Sequence, residues 1–191
     1  MRIMMLAAML ALAAPEPAVA APATEAEQAA RRAAFRAFAL PFVGEWQCEI
    51  EEWDGKKAAP VWSDRQRRIF TLTMTRSFLE ERAILKTQDG RDYEAGLHLT
   101  TYDPHSDRIV QHGFWLPRQP EPLFRLDGRI AGGGFIGRMR IRNEDGSESA
   151  RPLVMTWTGP DAWRIEVTDR RADGSIFVRE RLTYTRVKPA G

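Results

Sequence analysis

From Val43 onward the chain is a succession of short runs of alternating, β-branched and aromatic residues, broken about every ten to fifteen residues by turn-forming clusters. The runs fall at 44–53, 65–75, 77–87, 92–102, 108–116, 122–130, 134–142, 152–158, 162–169 and 175–187. Between them stand Asp89-Gly90, Asp103-Pro104, Gly132-Gly133-Gly134, Asp145-Gly146, Gly159-Pro160 and Asp173-Gly174, all sequences that reverse a chain. No helical pattern interrupts the series. A meander of about ten antiparallel strands leaves two exposed edges unless the last strand returns to the first. The pattern therefore predicts an all-β domain over 42–188, an up-and-down antiparallel barrel or a strongly curled sheet.

The segment before the barrel reads differently. Thr24 and Glu27 have capping-box spacing, and Glu25 and Glu27 suit the positive end of a helix dipole. Alanine-rich sequence runs on to about Leu40, with Phe35, Phe38 and Phe42 near one stripe, and Pro41 ends it. Residues 22–41 are thus a helix and linker that buttress the barrel. Residues 1–21 have the parts of a signal peptide. Met1-Arg2 is basic, Ile3 to Ala14 is apolar, and Ala18-Val19-Ala20 or Val19-Ala20-Ala21 is a small-x-small cleavage site. The apolar run is about twelve residues, where a membrane span needs about twenty, so cleavage is expected rather than anchoring. The expectation is a periplasmic or secreted mature domain with no stable membrane insertion.

Composition narrows the function classes. Hydrophobic content of 43% and charged content of 28% are those of an ordinary globular domain. The net charge is +2, and the arginines are spread among Asp and Glu with no basic block, which argues against nucleic-acid binding. Cys48 is the one cysteine, so no internal disulfide forms. Its alternation with Trp46 and Ile50 makes it a small buried hydrophobe rather than a reactive thiol.

One hairpin can be registered from its turn. Tyr102 to Arg108 suits a four-residue turn with Asp103 opposite Arg108, which pairs Leu97 with Phe114, Leu99 with His112 and Thr101 with Val110. A slip of one residue scatters the apolar positions, so this register is preferred. Leu97, Leu99, Phe114 and His112 then share one face, read as the inward one. On that reading His112 is the candidate that bonds a polar ligand group, carries a proton or ligates a haem iron, and otherwise a satisfied core histidine. His98 falls on the opposite face and His105 at the turn tip, so the three histidines do not make a metal site.

Alternation also turns Ile50, Phe70, Leu72, Met74, Met139, Met155, Trp157 and Tyr184 inward. If the interior stays open, such a methionine and aromatic lining suits a small lipophilic ligand, and if it fills, it is a packed core. Glu80 and Glu81 are adjacent and so point to opposite faces. One of them faces inward, where an Arg beside it would mark a site. Glu80 with His112 is the candidate catalytic pair. The strand arginines and acids, among them Arg138, Arg140, Arg142, Arg164 and Glu166, are expected to form ladders on the solvent face. No G-x-S-x-G, H-E-x-x-H or phosphate loop is present, and Gly132-Gly133-Gly134 joins two strands as a turn.

Gly44-Glu45-Trp46 after a helix resembles the opening of lipocalin-type, or calycin, barrels. The resemblance implies that Trp46 closes one barrel end and that Arg186, on the last strand, packs across its ring. A family of secreted bacterial proteins of unknown function with a lipocalin-like barrel is similar in Gly44-Glu45-Trp46, Ser77 to Glu81, Tyr102-Asp103-Pro104 and Leu182 to Arg186. This chain departs from it with Asp107 where that family's turn usually has Gly, and with a Pro-rich stretch at 116–122. Small nitrobindin-like barrels hold haem through one histidine near the C-terminus, where this chain has none, so no cofactor is expected. The reading is a binder of a small lipophilic molecule through His112, Leu97, Leu99, Phe114, Trp157, Met139, Met155 and Tyr184. Its alternatives are an isomerase- or hydrolase-like barrel enzyme and an envelope protein that contacts a partner through 116–122 or through Trp53, Trp62 and Trp115.

Overall fold

The computed structural model describes residues 24–73, 77–115, 124–142 and 146–188. Helix α1 (Glu25–Ala39) begins where the capping box places it. Thr24 Oγ1 accepts from the Glu27 amide, and the Glu27 carboxylate accepts from the Thr24 amide at 2.8 Å. A 3-10 turn, Leu40–Phe42, carries Pro41 at its start and leads into the first strand. No helix among the described residues is long and apolar enough to cross a membrane.

Ten strands follow: β1 (Gly44–Glu52), β2 (Trp62–Thr73), β3 (Phe78–Lys86), β4 (Asp92–Asp103), β5 (Arg108–Trp115), β6 (Phe124–Ala131), β7 (Gly134–Arg142), β8 (Glu148–Gly159), β9 (Ala162–Arg170) and β10 (Ile176–Arg186). Each pairs antiparallel with the next, and β1 pairs with both β2 and β10, so the sheet closes on itself. All ten anticipated strands are present with ends moved by a few residues. The registered hairpin is present too, with Leu97 opposite Phe114, Leu99 opposite His112 and Asp103 opposite Arg108. Its turn places Asp107 at φ 53°, in the left-handed region that Gly occupies most easily and that Asp tolerates.

Helix α1 and the 3-10 turn lie over one end of the barrel. Phe35, Ala39 and Phe42 are buried there, and Arg31 reaches Asp107 at 2.7 Å beside the β4–β5 turn. Phe42 sits among Phe70, Trp157 and Trp163, with ring centroids 4.9–6.2 Å away. Trp46 is fully buried and donates its indole N–H to the Phe42 carbonyl at 2.7 Å. The Arg186 guanidinium lies 4.2 Å from the Trp46 ring centroid. It also donates to the carbonyls of Val43 and Pro41 and to Asp161. Arg186 therefore clasps the start and the end of the barrel together.

Gly44 makes this clasp possible. Its φ is 128°, and a Cβ there would meet the Arg186 guanidinium at 3.0 Å. On the solvent face, ion pairs link neighbouring strands. Arg65 pairs with Glu49, Arg67 with Glu45 and Arg181 with Glu166, while Arg108 and Arg140 both reach Asp127.

Candidate functional site

The positions that face inward are fixed by period-two alternation from the plugged end. On β1 they are Trp46, Cys48, Ile50 and Glu52, and on β2 they run Trp62, Asp64, Gln66, Arg68, Phe70 and Leu72. On β3 they are Leu79, Glu81 and Ala83, and on β4 Gly96, His98, Thr100 and Tyr102. These walls leave a cavity of about 380 Å³, within the usual size of a small-molecule pocket. Most of its lining is apolar: Phe70, Ile109, Leu126, Phe135, Met139, Leu153, Met155, Ile165, Val167 and Leu182. At the end away from the helix it is bordered by Glu52, Trp62 and Glu180, which share one rung of the sheet. Trp62 is 47% exposed, so the cavity meets solvent there.

A polar cluster occupies one wall. Arg68 and Glu81 are buried and paired at 2.9 Å, and His98 holds the other Glu81 oxygen through Nδ1 at 2.8 Å. Tyr184 donates its hydroxyl to Glu81 at 3.2 Å, and Arg68 reaches Gln66 Oε1 at 2.6 Å. Burial alone would raise the Glu81 carboxyl. Electrostatic attraction to His98 and Arg68, with hydrogen bonds from His98 and Tyr184, outweighs it and holds the group at about 2. Glu81 is thus ionised and can only accept, which fixes a proton on His98 Nδ1. Nε2, at the other edge of the ring, has no partner among the described residues. It is not one of the sealed, unpartnered atoms, which are Arg67 Nε, Arg68 Nε, Ser149 Oγ and Trp163 Nε1. The His98 side chain keeps 11% of its surface accessible and lines the cavity.

The His98 ring is braced on its other side. Gly113 lies opposite it on β5, and Phe124 lies opposite Gly113 on β6. A Cβ at Gly113 would come within 2.2 Å of the Phe124 ring, so the missing side chain lets Phe124 lean over to His98. The two rings meet edge to face at 5.1 Å and 71°. Next along the wall, Gln111 donates to Thr100 at 2.9 Å, and both line the cavity.

Several site expectations need correcting. His112, Leu97, Leu99 and Phe114 do share a face, but it is the outer one, because His98 and Thr100 take the inward phase of β4. His112 is half-buried on the outside, and its imidazole is held below the usual range by desolvation and by Arg125. It does not reach the cavity, so the haem-ligand and interior proton-carrier roles weighed for it do not apply. Glu80 is likewise on the outer face, bonded to Arg82 at 2.6 Å, and its neighbour Glu81 is the inward carboxylate. His98, His105 and His112 occupy the interior, a turn and the outer face.

Met139, Met155 and Tyr184 line the cavity as expected. Trp157 is inward but belongs to the aromatic plug, 5.0 Å from Phe42. Ile50 and Phe70 also line the cavity, and Leu72 packs against the core. Met74 and the 116–122 stretch lie outside the described residues, as do the leader and the side chain of Trp115. Trp53 lies beneath the Arg181 guanidinium while Trp62 faces the mouth, so these two do not form one surface patch. Cys48 is fully buried, and burial pushes its thiol up to about 12.

These features define a class: a closed, ten-stranded, antiparallel up-and-down barrel with a helix over one end and a mostly apolar cavity that carries one buried ionic wall. No protein-family model matches the chain, and no curated protein matches it. Among solved structures, a redesigned β-barrel is similar at 13% identity, over 78% of this chain and 95% of that one, with a TM-score of 0.37.

Proposed function

We propose that this protein is a lipocalin-like carrier that holds a small lipophilic molecule inside its barrel. The observation that carries the reading is the cavity itself, about 380 Å³ and bounded largely by methionine, aromatic and branched aliphatic side chains. A core meant only for stability would fill that space, since each void forfeits packing energy. The leader-like sequence at 1–21 supports a periplasmic or secreted setting, and the Trp46–Arg186 clasp supports the lipocalin-like reading of the barrel.

The test is titration with N-phenyl-1-naphthylamine, a neutral apolar dye that brightens in an apolar site. Saturable binding of one dye per chain is expected, and Leu126→Trp, which fills the cavity from one wall, should abolish it. No saturable binding, or binding that the filled cavity leaves unchanged, would refute the reading.

A second reading, proton transfer on a bound substrate, is favoured by one specific observation. Glu81 orients His98 as a carboxylate orients a general base, and His98 lines the cavity. It replaces the His112–Glu80 pair, which the barrel wall keeps outside.

A further inference from the structure

Most polar groups of the wall are already paired with one another. Arg68 spends one terminal nitrogen on Glu81 and the other on Gln66, Tyr184 spends its hydroxyl on Glu81, and the Gln111 amide nitrogen goes to Thr100. Two further donors, Arg68 Nε and Trp163 Nε1, lack partners but also lack accessible surface, so no ligand atom meets them. His98 Nε2 has no partner among the described residues, and in the neutral ring with its proton on Nδ1 it is a lone-pair acceptor.

Charge selects further. Glu81 already serves Arg68, His98 and Tyr184, so neither an anion nor a cation brought to the depth of His98 finds a free counter-charge there. An anion must also pass Glu52 and Glu180 at the mouth, neither of which forms a salt bridge among the described residues. The burial of Glu180, with Glu52 beside it, raises its carboxyl. A neutral hydroxyl meets none of these costs.

We propose that the cavity selects lipophilic hydroxy compounds, and phenols above all, by accepting their O–H at His98 Nε2. The claim rests on the interior-binding reading above and names the ligand class for it. A phenol is preferred to an alkanol for two reasons. Its more acidic O–H makes the stronger bond to an imidazole, and its ring suits a chamber lined by Met139 and Met155 and flanked by Phe124. Thr100 and Gln111, next to His98 on the same wall, hold a second polar substituent in reach.

The experiment compares 2-naphthol, 2-methoxynaphthalene and 2-naphthoate on the intact protein at neutral pH, by displacement of N-phenyl-1-naphthylamine. The naphthol should bind at least about tenfold tighter than its methyl ether, the margin of one good hydrogen bond to a buried acceptor. The naphthoate should bind most weakly. Bound 2-naphthol should also show naphtholate emission, because its excited state gives up the proton to a nearby base. His98→Leu should erase the naphthol–ether contrast and the naphtholate band, and His98→Gln should restore part of the contrast without the band.

The wild-type comparison needs no variant, so it stands even if His98→Leu fails to fold. Equal binding of ether and naphthol, or tightest binding of the naphthoate, overturns the proposal and leaves the carrier reading intact. Dye binding with none of the three competing also overturns the proposal alone. Failure of the dye as well overturns both.

Discussion

Replacing Glu81 with Leu should cost the fold more than any surface change, and the structure gives the size in two ways. The carboxylate is 4% exposed and accepts from Arg68, His98 and Tyr184 at 2.9, 2.8 and 3.2 Å. It is held at about 2 against an ordinary 4.5. At about 1.4 kcal/mol per pH unit, that difference corresponds to about 3 kcal/mol of native-state preference for the ionised form. From the other side, deleting one member of a buried ion pair leaves its partner uncompensated at a cost of about 3–5 kcal/mol. Arg68, 3% exposed, is that partner. The two routes agree.

The Arg68→Met/Glu81→Leu double variant removes both charges and should be far less destabilised than the sum of the single changes, with coupling of at least about 2 kcal/mol. Urea unfolding at pH 7 measures this. The pH dependence follows with a definite sign. A depressed carboxyl contributes stability that is complete above its ordinary value, and the contribution is lost as pH falls from about 4.5 through about 2. The gap between wild type and Glu81→Leu should therefore narrow on acidification over that window. A loss under about 1 kcal/mol for Glu81→Leu, additive single changes, or a gap that widens in acid would refute the reasoning.

Three further outcomes test other parts of the barrel. Gly113→Ala puts a methyl 2.2 Å from the Phe124 ring, and should lower stability by about 1–3 kcal/mol and weaken dye binding as Phe124 is pushed off His98, read by urea unfolding and titration. Arg186→Met removes the cation over Trp46 and the bonds to Pro41, Val43 and Asp161, for a loss of about 2–4 kcal/mol. Arg186→Lys should recover only part of it, because an ammonium cannot serve that planar fork. Cys48, fully buried and with its thiol pushed up to about 12, should react with a thiol reagent at pH 8 only as fast as the chain unfolds, and stoichiometrically in urea.

The strand count, the barrel closure, the capping box and the β4–β5 register were all legible because each rests on local chemistry: turn residues, alternation and a four-residue loop. The face of β4–β5 that turns inward was not, and the reason is physical. A register fixes which residues are neighbours but is the same for both faces, so the choice rests on hydropathy. Hydropathy favours Leu97, Leu99 and Phe114, and it fails here because the interior wall is ionic. A sequence signal did exist on another strand. The alternation that turns Phe70 and Leu72 inward also turns in Gln66 and Arg68, and a buried arginine demands an inward carboxylate nearby. Of Glu80 and Glu81, the one in phase with Leu79 and opposite Phe70 is Glu81. Opposite Glu81 on β4 is His98, not a leucine. Following the charge across three strands thus selects the inner face where apolar content selects the outer one. Leu97, Leu99 and Phe114 remain half-buried on the outside because the inward phase of β4 and β5 carries His98, Thr100 and Gln111 of the polar wall.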